Sequence, residues 1–208
     1  MKLKSTIIAT SLLVASTFAT AQVANQKSDK NQYGNNIVRF APISLTDAGV
    51  GVGIGYERFL EPTQKVSFIL PIDIIFAQYE NGGFGNYDEN VSYVYIQPGL
   101  RFYPANANRK ATYSIGPNLF FAYGNGEGWR YNPNTGVSTY GEFNNTRFGI
   151  VATNYLDINI TPKFNLGFSL GVGIRYSSKY NYVDSKSSNY NEGINAVAQF
   201  KFQMGYRF

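Results

Sequence analysis

The sequence predicts an all-β chain: a closed eight-stranded antiparallel up-and-down barrel that crosses a membrane on its strands. Three observations carry this. From Asn36 to Phe208, apolar and polar residues alternate in eight successive segments, the period of a strand whose side chains point to opposite faces in turn. One face of every segment is large and oily, and the other is small or polar. The composition, with 17 Tyr, 16 Phe and 21 Gly in 208 residues, suits strands and turns better than helices. An eight-stranded interior is only wide enough for side chains to fill. It cannot take the Phe and Leu of every segment, so the large set faces outward. An outward oily face is tolerable only in lipid, with the barrel closed so that no backbone edge is unpaired.

Residues 1–21 have the three parts of a secretory signal: Lys2 and Lys4, an apolar core from Ile7 to Phe18, and Ala19-Thr20-Ala21 before Gln22. That core is too short to span a bilayer as a helix. Residues 22–35 are polar and aperiodic and read as a flexible periplasmic lead-in. The barrel domain is 36–208.

The first segment, 36–45, sets Val38, Phe40 and Pro42 against Arg39. The second, 49–60, alternates Val50, Val52, Ile54 and Tyr56 with Gly51, Gly53, Gly55 and Glu57. The third, 64–79, has Phe68, Ile72, Ile74 and Phe76 against Ser67 and Asp73; both faces are apolar around Pro71, so its register is open to slippage. The fourth, 90–104, sets Val94, Ile96, Leu100 and Phe102 against Tyr95, Gln97 and Arg101. The fifth, 110–123, sets Ile115, Leu119 and Phe121 against Ser114, Gly116 and Asn118. The sixth, 144–160, has Phe148, Ile150, Leu156 and Ile158 against Arg147 and Asp157. The seventh, 163–178, has Phe164, Leu166, Phe168 and Leu170 against Gly167, Ser169, Gly171 and Arg175. The last sets Phe200, Phe202, Met204, Tyr206 and Phe208 against Gln199, Lys201, Gln203 and Arg207. Each is long enough for the roughly 9–11 tilted residues a membrane strand needs.

Short links (61–63, 105–109, 161–162) alternate with long ones rich in Gly, Asn, Ser and Tyr (79–90, 124–145, 179–194), while 46–48 is short. Short periplasmic turns and longer extracellular loops are the asymmetry of an outer-membrane barrel. Pro98 and Pro117, in matching contexts on neighbouring strands, predict a local bulge, because proline cannot donate to the ladder.

The interior is then expected to hold Arg39, Glu57, Asp73, Arg101, Arg147, Asp157, Arg175, Lys201 and Arg207. Six bases with three acids must be paired and hydrogen-bonded, with help from Tyr95, Gln97, Asn118, Gln199 and Gln203. The inward glycines of the second and seventh segments read as gaps that a narrow solute path would use.

The chain has no Cys and no His, so disulfides and thiolate metal sites are excluded, and so is the commonest acid/base group. No spacing reaches a recognisable calcium loop, although Glu80, Asp88 and Glu89 crowd one link. No catalytic residue, cofactor or metal is expected. The formal charge is +5; without Lys2 and Lys4 of the leader it is +3, sixteen bases against thirteen acids. That is too small and dispersed for nucleic acid.

The leader, the eight segments and the terminal Phe208 with Tyr206, Met204, Phe202 and Phe200 behind it resemble the small bacterial outer-membrane β-barrel proteins. The repeated Ile-x-Pro-x-Leu-x-Phe, at Ile96–Phe102 and Ile115–Phe121, resembles the porin-family "outer membrane protein β-barrel domain". The resemblance covers the chain from about Asn36. It implies a monomer integral to the outer membrane of a Gram-negative envelope, in contact with its lipid, and inserted by the barrel-assembly machinery, which would read Phe200 to Phe208. Enzymes of this class rely on a catalytic His, which is absent here. The expected role is therefore an envelope protein of structural or surface-interaction type, with aromatics of the long links (Trp129, Tyr131, Tyr140, Phe143, Tyr180, Tyr182, Tyr190) as contact candidates. The alternative is a narrow passive channel for a small solute. The sequence names no surface ligand.

Overall fold

The computed structural model describes residues 33–80, 88–105, 107–132, 136–182 and 190–208. The signal at 1–21 and most of the lead-in fall outside the described residues. Ten strands follow in order: β1 (Asn36–Thr46), β2 (Gly49–Phe59), β3 (Val66–Glu80), β4 (Asp88–Ile96), β5 (Gly99–Phe102), β6 (Ala111–Asn132), β7 (Val137–Asn159), β8 (Phe164–Tyr182), β9 (Tyr190–Glu192) and β10 (Asn195–Arg207). They make eight staves. β4 and β5 are two parts of one stave, and β9 is a short outer strand paired with β8.

Every stave pairs antiparallel with its neighbours in the chain, and β10 pairs with both β8 and β1. The sheet therefore closes on itself, which leaves no staves with unpaired edges. At the seam Val38 faces Tyr206 and Phe40 faces Met204. The last rung is made by Asn36 and Phe208, which exchange N–H···O bonds of 3.0 and 2.9 Å.

The sidedness is the reverse of a water-soluble barrel. Glu57 on β2 is 0% exposed, whereas Ile54, three residues away, is 61% exposed. Every stave repeats this outward set, including Phe40, Val94, Phe121, Ile150, Leu170 and Tyr206. Such a surface requires an apolar solvent, and the closed ladder satisfies the backbone inside it.

The prolines behave differently from the expected bulge. Around Pro98 the ladder is interrupted, dividing β4 from β5, but no residue is inserted. Ile96 faces Phe121 and Gly99 faces Asn118, three residues on along both strands. Pro71 on β3 and Pro117 on β6 flank the same gap, so three residues without an N–H thin the hydrogen bonds without changing the register. Carbonyl groups there still find donors: Gln97 N–H to Pro71 O at 2.9 Å and Leu119 N–H to Pro98 O at 3.0 Å. The bulge is at Pro42 instead, where the register shifts against both β10 and β2. It flips the parity of β1, so that Arg39 and Ala41 point inward before it and Ser44 after it. A second shift sets Phe148 against Ser177 but Gly149 against Arg175. The third stave, with its doubly apolar stretch, keeps one register against β2 from Phe59–Ser67 to Val50–Phe76.

β6 and β7 are 22 and 23 residues long, about twice a membrane crossing. The link expected at 124–145 is mostly paired strand, from Gly124–Asn145 to Asn132–Val137. Its Gly and Asn content signals a turn locally, but residues 124–132 and 137–145 have cross-strand partners, and pairing decides.

Candidate functional site

The lumen is the place where this chain concentrates its chemistry, and it is filled in layers. At the short-turn end, Ile37, Phe59, Tyr103 and Ala107 form an apolar cluster. Arg207 lies against it, with its guanidinium 4.7 Å from the Phe59 ring and 4.9 Å from that of Tyr33. Arg207 donates to Gly34 O (2.7 Å), Ala107 O (3.1 Å), Gln64 Oε1 (2.5 Å) and Asn108 Oδ1 (3.1 Å). Gln64 takes a left-handed φ of 54° in the β2–β3 turn and also donates to Asn35 Oδ1 at 2.9 Å. Residues 33–35, expected to be a mobile lead-in, are thus tied into the barrel end.

Above this sits a buried quartet. Arg39 of β1 donates to Glu57 of β2 at 2.6 Å and to Asp157 of β7 at 3.1 Å. Arg101 of β5 donates to the same two carboxylates, at 2.8 Å to Glu57 and more closely to Asp157. Ser67 and Tyr103 donate to the other Glu57 oxygen at 2.6 and 2.5 Å, and the Arg101 guanidinium lies 4.1 Å from the Tyr155 ring. Two charges of each sign, each bound to both opposites, meet the condition for burying ions at all.

The next layer is Lys201 of β10, which donates to Asp73 of β3 at 2.5 Å and to Gln97 Oε1 at 2.8 Å; Gln97 in turn donates to Gln199 at 3.0 Å. Asn118 donates to Thr153 and Tyr155 at 2.8 and 2.6 Å. Toward the long-hairpin end follows an apolar layer of Ala48, Ile75, Tyr93, Tyr95, Phe120, Val151 and Val197. Over it, Asp47 of the tight β1–β2 turn accepts from Arg147 (3.3 Å), Arg175 (2.8 Å) and Tyr95 (3.2 Å). Arg147 also donates to Tyr93 at 2.9 Å.

All nine charged residues expected inside are buried. They fall into separate groups rather than one network: the quartet, Lys201–Asp73, Arg147 with Arg175, and Arg207 alone among carbonyl oxygens. The fourth acid, Asp47, is in a turn that folds inward, where no alternation marks it. The inward aromatics Tyr93 and Phe120 were not expected either, and the reason overturns the reading of glycines as gaps. Inward glycines stand directly across from large inward residues: Gly51 from Ile75, Gly53 from Asp73, Gly124 from Tyr93, Gly149 from Phe120 and Gly167 from Asp157. A Cβ on Gly53 would lie 2.2 Å from Asp73 Oδ1, and one on Gly124 would lie 2.4 Å from the Tyr93 ring. The space beside each glycine is already occupied.

On the outer ribbon, Glu127 and Glu142 face each other across the β6–β7 ladder. With Asn125, Tyr140 and Asn144 they line a shallow groove of about 500 Å³, and the Tyr140 hydroxyl donates to Glu127 at 3.1 Å. Phe143, expected as a surface contact, is buried and packs on Tyr180 at 5.5 Å. The side chains of Trp129, Tyr131, Tyr182 and Tyr190 lie outside the described residues, as does most of the acidic link at 79–90. The five aromatic and Met residues from Phe200 to Phe208 lie on the outward face of β10, with Phe202 5.1 Å from Phe168 and Tyr206 stacked on Phe208 at 6.4 Å.

No protein-family model and no curated protein matches the chain. Solved structures do. A major outer membrane protein from Thermus thermophilus superposes with a TM-score of 0.58 at 12% identity, over 83% of this chain and 98% of that one. The outer membrane protein OprG from Pseudomonas aeruginosa gives 0.57 at 11% identity, over 85% and 96%. Identity this low establishes architecture alone, and the architecture is clear: this chain has the fold of the small bacterial outer-membrane β-barrel proteins.

Proposed function

We propose that the chain is a non-catalytic, non-conducting protein of the bacterial outer membrane, a rigid anchor that carries the β6–β7 ribbon on the cell surface. The carrying observation is that side chains tie opposite walls through the lumen: Arg39 joins β1 to β2 and β7, and Lys201 joins β10 to β3 and to Gln97 between β4 and β5. With the quartet, the aromatic layer and Asp47 stacked along the axis, these contacts leave the interior to protein atoms. No catalytic role falls to these groups, because each buried carboxylate is already engaged by Arg or Lys and the chain has no His. The short turns face the periplasm and the long hairpins face outward. In planar bilayers the purified protein is expected to give no discrete conductance steps. Reproducible steps would replace this reading with that of a narrow passive channel.

The outward face of β10 serves as the address read by the assembly machinery, and Phe208 both presents a ring there and closes the seam rung with Asn36. Deleting Phe208 is expected to cut the membrane-inserted fraction several-fold in cell fractionation, with the remaining protein found unfolded in the periplasm. Insertion equal to that of the full chain would refute this role.

A further inference from the structure

The short-turn rim is strongly basic on its outward side. Arg58 is the penultimate residue of β2, Lys65 precedes β3, Lys110 precedes β6 and Lys163 precedes β8, and all four side chains are exposed. Their places are fixed by the end of the ladder. The Lys65 carbonyl accepts from Tyr103 N–H (2.7 Å), that of Lys110 from Asn159 N–H (2.8 Å) and that of Lys163 from Arg207 N–H (2.7 Å). Arg58 stands in register between Asn36 and Phe68. Among the described residues none of the four is paired with a carboxylate, and Glu61 is the acidic side chain of this rim. The opposite mouth carries more acids than bases among the described residues: Glu80, Asp88, Glu89 and Glu192 at its strand ends and the Glu127–Glu142 pair of the β6–β7 ribbon, against Arg130 and Lys179.

Outward apolar residues adjoin the basic positions: Leu60 beside Arg58, Phe102 near Lys65 through the β3–β5 pairing, Ile160 and Phe164 on either side of Lys163. These mark the hydrocarbon boundary, so the cations stand at the depth of the lipid headgroups, where Lys and Arg stems lie along the apolar surface with their charges in the polar layer. Cations held at that depth attract anionic lipid, and the attraction falls off within a Debye length.

We propose that this rim is a binding surface for anionic phospholipid headgroups of the leaflet at the short-turn side, and that it fixes the barrel's depth there. The full chain is reconstituted in phosphatidylcholine vesicles holding spin-labelled phosphatidylglycerol or spin-labelled phosphatidylcholine, and the motionally restricted lipid is measured. The wild type is expected to enrich phosphatidylglycerol about threefold over phosphatidylcholine, and to lose that preference at high salt. The variant R58Q/K65Q/K110Q/K163Q, checked for the heat-modifiable mobility of a folded barrel, is expected to fall to near parity, whereas K179Q at the opposite mouth keeps the preference. Single K65Q and K163Q changes should each remove part of it. No preference in the wild type, or an undiminished one in the folded quadruple variant, overturns the proposal. So does loss of preference with inorganic phosphate but not with chloride at matched ionic strength, which would indicate a discrete phosphate pocket instead of a lipid surface.

Discussion

Arg101→Leu is expected to be the most damaging single substitution in the barrel, lowering unfolding stability by about 3–5 kcal/mol, the usual cost of stranding a buried partner. Arg101 donates to Glu57, Asp157 and Ser114 and packs on Tyr155. Without it, two buried carboxylates share only Arg39. The sign is set by what remains and not by the worth of the contact itself, so the double variant R101L/E57Q, which removes one charge of each sign, should recover part of the loss. Urea unfolding in lipid or detergent micelles, followed by the heat-modifiable band, reads both. A loss below about 1 kcal/mol for Arg101→Leu would mean that water reaches the quartet.

The second large effect is steric. Gly124→Val is expected to cost about 2–3 kcal/mol, at the upper end of ordinary overpacking. A Cβ there meets the Tyr93 ring at 2.4 Å, and the ring cannot swing away without giving up its 2.9 Å bond from Arg147 and the guanidinium stacked 4.5 Å from it. Gly141→Val, in the same hairpin but with nothing within 4 Å of its Cβ, should change stability little under the same assay. Equal effects at the two sites would show that the lumen beside Gly124 has room to spare.

The sequence carried the staves well because alternation is a local property: Phe40 against Arg39 or Leu170 against Ser169 needs no knowledge of a partner strand. The charges inside followed from the same parity. What was not legible depends on neighbours far away in the chain. Gly51 and Gly53 look like vacancies until Ile75 and Asp73 are placed opposite them. Asp47 looks like a turn residue until the turn folds in to Arg147 and Arg175. The stretch from Gly124 to Asn145 looks like a loop until residues 124–132 are set against 137–145 on the other strand. Pro98 and Pro117 predicted a bulge, and their missing donors merely thinned the ladder, since three prolines share one gap; the inserted residue is at Pro42, where the parity of β1 changes. The tips of the long hairpins, where a surface ligand would be read, carry no alternation and gave no chemistry.

The claim on which the rest depends is that protein atoms fill the lumen. Because the chain has no Cys, one introduced thiol reports on it without background. Ser169 is inward, buried and close in size to Cys, on β8 directly across from Lys201 of β10. In Ser169→Cys, folded in lipid vesicles, a small charged water-soluble thiol reagent is expected to react only after unfolding. Labelling of the folded protein at the rate of the unfolded chain would contradict a closed lumen, and with it the reading of this barrel as an anchor.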